Sequence, residues 1–175
     1  MITAATPLID VCFVVCTALD AAGVTAVLTG GSAAEYYAPT EYRSYDADFM
    51  LQFERSDADG SKALEKLEYY HADGAYHHRE NPYTIEFPKG PFGIGDDLIQ
   101  SWDTVRRGEE MLHVIDRTDS VRDRLAGFYF WNDRQSLAVA LAVARSGAID
   151  TERIADWSKR EGQTAKYREF AAVVR

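Results

Sequence analysis

Disulfides, long apolar runs and positive charge are all scarce in this chain, and each shortage closes off a class of protein. Only two cysteines occur in 175 residues, Cys12 and Cys16. They provide no disulfide framework, so a reducing cytoplasm is the expected setting. Four apart on an apolar stretch, they read as core filling, because no further Cys or His stands at a metal-ligand spacing. The apolar run Val11–Cys16 is too short to span a bilayer and sits between Asp10 and Asp20, and no secretory signal is visible. The expectation is a soluble, cytoplasmic protein with no membrane partner. Five prolines and 46% hydrophobic residues argue against disorder. Lys and Arg number 19 against 28 Asp and Glu, a formal charge of −9. A chain of that sign presents no broad electrostatic footprint to nucleic acid. A nucleic-acid acceptor would need a local basic patch, for which Arg106-Arg107 with Arg117, Arg122 and Arg124 are the candidates. Internal repeats and serine–histidine–aspartate arrangements are missing as well.

What is present is an alternation of short strands and helices. Thr6-Pro7 reads as a helix start, a capping hydroxyl followed by proline. Leu8, Ile9, Cys12, Val15, Cys16 and Leu19 then recur at helical steps until Gly23. Val24 to Thr29 reads as a core strand. Gly30-Gly31-Ser32 is a turn, and Ser32-Ala33-Ala34-Glu35 reads as a capping box that opens a short helix. After a turn at Pro39, an apolar strand runs from Asp46 to Phe53, carrying Asp48 two residues beyond Asp46. A helix is expected from Ser56-Asp57 to about Tyr69. Between 70 and 80, Asp73-Gly74 marks a turn between surface strands, with His77 and His78 facing opposite sides. Tyr83 to Phe87 alternates as a strand. Pro88 to Gly95 is a glycine- and proline-punctuated loop, either a wall or lid over a cleft or a purely structural connection. Asp96-Asp97 reads as a turn cap rather than a metal site, and Met111–Asp116 as a strand. From Asp119 the pattern turns helical, with caps expected at Asp119-Ser120, Asn132-Asp133 and Asp150-Thr151. The fold class is α+β: a mixed sheet with flanking helices over 1–117, then a C-terminal helical region over 118–175 packed on it.

The chemistry concentrates between Val27 and Phe53. Side chains at i and i+2 of a strand share a face, with Cα atoms ~6.5–7 Å apart. Asp46 and Asp48 at that separation suit a pair of divalent ions ~3.5–4 Å apart, the arrangement used for in-line displacement at phosphorus. A helix start at Gly30-Gly31-Ser32 points free amides and a positive dipole end forward, where phosphate is the natural occupant.

Gly-Gly-Ser, thirteen residues (Ala33 to Tyr45), then Asp-x-Asp on an apolar strand resembles the signature of the polymerase-beta-like nucleotidyltransferase superfamily. More narrowly it resembles the small bacterial nucleotidyltransferases of toxin–antitoxin and abortive-infection systems. The segments YTIEFPKGPFGIGDD from Tyr83 and DSVRDRLAGFYFWNDRQSLAVAL from Asp119 are similar to that group as well, so the likeness spans roughly 20–145. The resemblance implies a metal-dependent enzyme that moves a nucleoside monophosphate from a nucleoside triphosphate to a hydroxyl on a protein, a tRNA or a small molecule. It implies Mg2+ (or Mn2+) on Asp46, Asp48 and a third carboxylate, for which Glu86 matches, although the superfamily more often has aspartate there. Gly30, Gly31 and Ser32 would then cradle phosphates, with Arg43 or Lys89 adding positive charge. Arg124 and Asp133 fall where the toxin relatives carry a basic residue and a later aspartate for nucleotide handling; a helix cap at Asp133 paired with an arginine explains the same residues. A cognate toxin or antitoxin is a candidate partner. The rival readings are a catalytically silent module of the same fold that holds a nucleotide or partner protein, and a structural α+β domain whose Asp-x-Asp is ornamental.

Overall fold

Helix α1 (Leu8–Ala21) seeds the main core because its apolar residues fall on one stripe: Val11, Cys12, Val15, Cys16 and Leu19 are at most 1% exposed. The helix starts just after Pro7, whose φ of −63° suits a first turn, and the chain leaves it through Gly23 at φ +75°. Thr6 does not cap it; the Thr6 hydroxyl accepts instead from the Thr3 amide at 2.8 Å. These features belong to a computed structural model that describes residues 1–52 and 58–174. Phe53 and the helix start expected at Ser56-Asp57 lie outside the described residues.

The architecture is mixed α+β. Strands β1 (Ala26–Leu28), β2 (Asp46–Leu51), β3 (Tyr69–Ala72), β4 (Ala75–His78), β5 (Thr84–Glu86), β8 (Asp103–Arg107) and β9 (Glu110–Val114) form one sheet in the order β3-β4-β5-β2-β1-β9-β8. A separate hairpin joins β6 (Gly93–Ile94) to β7 (Asp97–Leu98). Within the sheet β1 runs parallel to β9 and β2 parallel to β5, while the other neighbours are antiparallel. Asp73 and Gly74, at φ 51° and 87°, form the left-handed turn that joins β3 to β4. Helix α3 (Ala58–Glu65) packs with α1, and α2 (Gly30–Tyr37) packs against both α1 and β2, its Ala33 buried in the same core as the α1 stripe. Glu68 at φ 66° breaks the helical path, so Tyr69 opens β3 instead of ending the helix.

Helices α4 (Arg117–Trp131), α5 (Arg134–Arg145), α6 (Thr151–Arg160) and α7 (Thr164–Val174) gather a second core around Leu125, Phe128, Val143, Ile154, Trp157 and Phe170. That core includes Ala34 of α2 and Ala38 at its C-cap, and so joins the helical region to the sheet. Asp133 and Asp150 cap α5 and α6 with side-chain hydrogen bonds, as the sequence suggests. No described helix is long and apolar enough to cross a membrane.

Three further local expectations are corrected. The capping box is not used: α2 starts at Gly30 with Thr29 in the extended cap position. The buried Ser32 hydroxyl donates to the Thr29 carbonyl at 3.1 Å and accepts from the Asp48 amide at 3.4 Å, tying helix to strand. Glu35 turns away to accept from the Arg43 guanidinium at 2.8 Å and the Ser44 amide at 2.7 Å. His78 is not on a surface strand, because β4 is an interior strand; the ring is 7% exposed, meets Tyr69 edge-on at 5.0 Å, and accepts two amides at Nδ1. Asp119 is not a cap either, since Asp116 fills that position.

Asp119 instead sits at the centre of a buried ion-pair chain. It accepts from Arg122 at 2.7 Å and from Arg153, which also binds Asp116; Arg122 and Arg160 both reach Asp97 at 2.6 Å. Asp119 and the Arg122 side chain are 1% and 3% exposed. A buried charge that loses its partner costs far more than an exposed one. Arg122→Ala is therefore expected to destabilise the chain by about 3–5 kcal/mol in chemical denaturation, and Arg160→Ala, 57% exposed, by less than about 1 kcal/mol. Equal losses from the two would show that the chain is not an energetic centre of the helical region.

Candidate active site

The acidic cluster is built by strand register. Asp46 pairs with Thr84, Ala47 with Ile85, and Asp48 with Glu86. Ala47, Phe49 and Ile85 are fully buried against α1, so the alternation turns Asp46, Asp48, Thr84 and Glu86 to the other face. Asp48 and Glu86 thus stand directly across the ladder at one strand spacing, ~4.8 Å, and Asp46 lies ~6.5–7 Å along the strand. Asp46 accepts from the Ser44 hydroxyl at 3.0 Å.

Helix α2 meets these carboxylates end-on. Gly30 sits at φ +63°, and a Cβ there would collide with the Asp48 carboxylate, so both the backbone and the contact require glycine. A Cβ on Gly31 would come within 2.7 Å of the Ser44 hydroxyl and 3.0 Å of the Tyr42 hydroxyl. The Thr29 amide donates to the Asp48 carbonyl at 2.8 Å, which fixes the strand against the helix start. The first amides of α2 precede its internal hydrogen-bond ladder and carry the positive end of its dipole.

Asp48 feels this crowding. Burial, then the neighbouring Asp46 and Glu86 carboxylates, push its pKa from 3.8 up to about 6, against the pull of Arg124. Arg124 keeps its charge: burial opposes it, but Asp123 and Asp48 outweigh burial and hold the guanidinium above its ordinary range. It donates twice to Asp123, at 2.6 and 3.0 Å, rather than closing over Asp48. A cavity of ≈ 220 Å³ opens between Gly30, Asp48 and Arg124, and Pro88, Phe92, Gly93 and Ile94 form its wall. The 88–95 loop is therefore a wall of this cleft.

The remaining expected residues divide. Asp133 caps α5, accepting from Gln135 at 2.9 Å and Ser136 at 2.6 Å; the Ser136 hydrogen bonds hold its carboxyl below the usual range, with a weaker contribution from Arg124. Arg43 is tied to Glu35 with 70% of its side chain exposed. Ser32 has no exposed surface. Lys89 lines a different cavity with Leu51 and Phe87, on the sheet face away from Asp48, because those residues alternate with the acids. The arginines expected to form a basic patch are dispersed: Arg107 binds Asp10 and Glu110, Arg122 is buried with Asp119, and Arg124 faces the cleft. Ser44, Tyr42 and Asp123 escaped notice in the sequence. Ser44 and Tyr42 lie in the irregular stretch before β2, where no periodicity marks a facing side chain; Asp123 offered only its adjacency to Arg124.

Among the described residues, no group of three His, Cys, Asp or Glu side chains is arranged to hold a metal ion by itself. The donor chemistry of the acidic face nonetheless suits magnesium, which takes hard oxygens, retains waters and completes its shell with substrate phosphates. No protein-family model matches the chain, and no curated protein matches it.

The raised Asp48 pKa has a signed consequence. With ~3.9 in the unfolded chain and about 6 in the fold, the folded state favours the protonated acid, so folding loses stability as pH rises from about 4 to about 6. Asp48→Asn removes that loss. It is expected to stabilise the chain by on the order of 1–3 kcal/mol at pH 7.5 and by little at pH 4. Thermal unfolding at the two pH values checks this, and an Asn variant no more stable than wild type at pH 7.5 would contradict the crowding.

Proposed function

We propose that the protein is a metal-dependent nucleotidyltransferase, which transfers a nucleoside monophosphate from a nucleoside triphosphate to a hydroxyl acceptor. The observation that carries this reading is the position of Asp48, which touches the glycine start of α2 on one side and stands in register with Glu86 on the other. Phosphate-binding amides and metal-type carboxylates so close together have little structural use, since the carboxylates repel one another. Asp46, Asp48 and Glu86 would hold magnesium or manganese, which supplies charge neutralisation at phosphate and a lowered pKa for the attacking hydroxyl.

The chain's own residues account for the rest. The amides at Gly30 and Gly31 bind the β- and γ-phosphates, aided by the α2 dipole. The acceptor hydroxyl loses its proton to solvent as its oxygen forms a bond to the α-phosphorus and the bond to pyrophosphate breaks. Arg124, charged and beside Asp48, stabilises the negative charge that builds on the departing pyrophosphate. Its bond to Asp123 sets the guanidinium's direction. The hydrophobic wall at Phe92 and Ile94 restricts water around the reacting phosphate. An acceptor on protein, tRNA or a small molecule, and a place in a toxin–antitoxin pair, belong to this proposal through the resemblance alone.

A second reading is a module of the same fold that binds nucleotide without turnover. It draws support from the absence, among the described residues, of a ready three-ligand metal group, and from Arg124 as a resident cation beside Asp48. The two readings separate on metal dependence. Nucleoside triphosphate with magnesium at 100 times its Kd should stabilise the transferase by about 2.7 kcal/mol, and Asp46→Ala/Asp48→Ala should abolish that shift. A double variant that responds like wild type with magnesium present would favour the silent module. Label transferred from a radioactive nucleoside triphosphate to a component of cell extract identifies the acceptor.

A further inference from the structure

Between the end of α2 and Asp46 the chain runs outside helix and strand, after a turn in which the Glu41 and Tyr42 amides donate to the Ala38 carbonyl at 3.1 Å. Side chains hold the last part of this stretch. Glu35 of α2, 4% exposed, accepts the Ser44 amide at 2.7 Å on one carboxylate oxygen and the Arg43 guanidinium at 2.8 Å on the other. The buried Ser44 hydroxyl in turn donates to Asp46 Oδ1 at 3.0 Å, and it lies over the α-carbon of Gly31. A path of contacts thus runs from α2 through Glu35 and Ser44 to Asp46. Stability alone gives little reason for a carboxylate at position 35. Burial strips it of water, and an arginine whose side chain is 70% exposed offsets that loss only weakly. Apolar residues in place of a buried ion pair leave many proteins as stable or more so. Both oxygens of Glu35 are used on the two residues ahead of Tyr45-Asp46, so what they fix is the approach of the chain to Asp46.

We infer that Glu35 is a positioning residue, which acts through the Ser44 hydroxyl to hold the Asp46 carboxylate in the orientation that a divalent cation requires. The inference rests on the nucleotidyltransferase reading, which supplies the cation. A hydroxyl that donates to Oδ1 sets the rotation of the carboxylate and leaves Oδ2, with the remaining lone pair of Oδ1, for the ion. Groups hydrogen-bonded to a metal ligand orient it, and their loss lowers metal affinity by roughly 10- to 100-fold. Asp46 needs such a partner more than Asp48 does, because it is the first residue of β2 and follows the irregular stretch. Asp48 is already fixed inside the strand by the backbone bond between the Thr29 amide and its carbonyl. Glu35 also belongs to the helix whose first amides face the phosphates. One rigid element therefore carries the phosphate contacts and sets the direction of a metal ligand. Arg43, a phosphate contact on sequence grounds, instead covers the solvent side of this link.

The test is titration calorimetry of the full chain with two probes, the preformed Mn2+–tripolyphosphate complex and tripolyphosphate in EDTA. Ser44→Ala and Glu35→Leu should each weaken binding of the metal complex by roughly 10- to 100-fold. Both should leave binding of metal-free tripolyphosphate unchanged, a separation that a merely structural role would not produce. Ser44→Thr, which restores the hydroxyl, should bind the complex as wild type does. The doubly substituted chain should lose less than the product of the two single losses, because both act through one hydroxyl. Thermal unfolding verifies that the variants are folded, and Ser44→Ala, which keeps the amide that Glu35 accepts, carries the test if Glu35→Leu is not. Wild-type affinity for the complex in Ser44→Ala, or equal losses for the two probes, would overturn the positioning role and leave the transferase reading standing. An Asp46→Ala variant that binds the complex like wild type, or a wild type indifferent to the metal, would take the cation away from Asp46 and overturn both.

Discussion

The site depends on a single close approach, the Asp48 carboxylate against the α-carbon of Gly30. A side chain at position 30 would occupy the space that the carboxylate fills, and the left-handed φ of the residue excludes most alternatives to glycine. The approach directs the start of α2 at a cluster of acids and opens the cleft between them. It also fixes electrostatics: Asp48 is drawn from water and set beside Asp46 and Glu86, so its charged form is disfavoured. A fold that tolerates this crowding gives up some stability at the place where chemistry at phosphate would need charge density.

The helical region steadies that cleft from the opposite side. Arg124 enters it from α4, one turn after Val121 is buried in the second core. Two residues before Arg124, Arg122 reaches Asp97 on the β6–β7 hairpin, and the same hairpin contributes Gly93 and Ile94 to the cleft wall. Glu161 of the segment after α6 adds a hydrogen bond to the Asp96 amide at 2.9 Å. The aspartates at 96 and 97, expected only to cap a turn, thus fasten the wall to the helices. Sequence pattern could not show this, because an ion pair between distant segments leaves no periodic trace.

Legibility differed by element. The apolar stripe of α1, the Asp73-Gly74 turn and the caps at Asp133 and Asp150 follow from local rules about periodicity, positive φ and amide satisfaction, and each forms where those rules direct. The capping box failed because Ser32 had two options for its hydroxyl, and the sheet beneath it offered the buried one. His78 was misjudged because β4 lies inside the sheet, a fact about neighbours rather than about the residues near 78. Helix α7 drew no expectation, although its residues Tyr167 and Phe170 complete the second core.

By itself, the sequence determined which side chains share a face: the acids at 46 and 48 opposite the buried Ala47 and Phe49, and a glycine turn able to approach them closely. Strand alternation and glycine's conformational range are properties of a few adjacent residues, so a linear chain displays them. Only the tertiary structure decided that β5 lies parallel to β2 in the register that sets Glu86 against Asp48, and that Lys89 falls on the far face. Those outcomes depend on which distant strands pair. The pairing is set by the burial of a whole sheet face at once, and no short stretch of sequence records it.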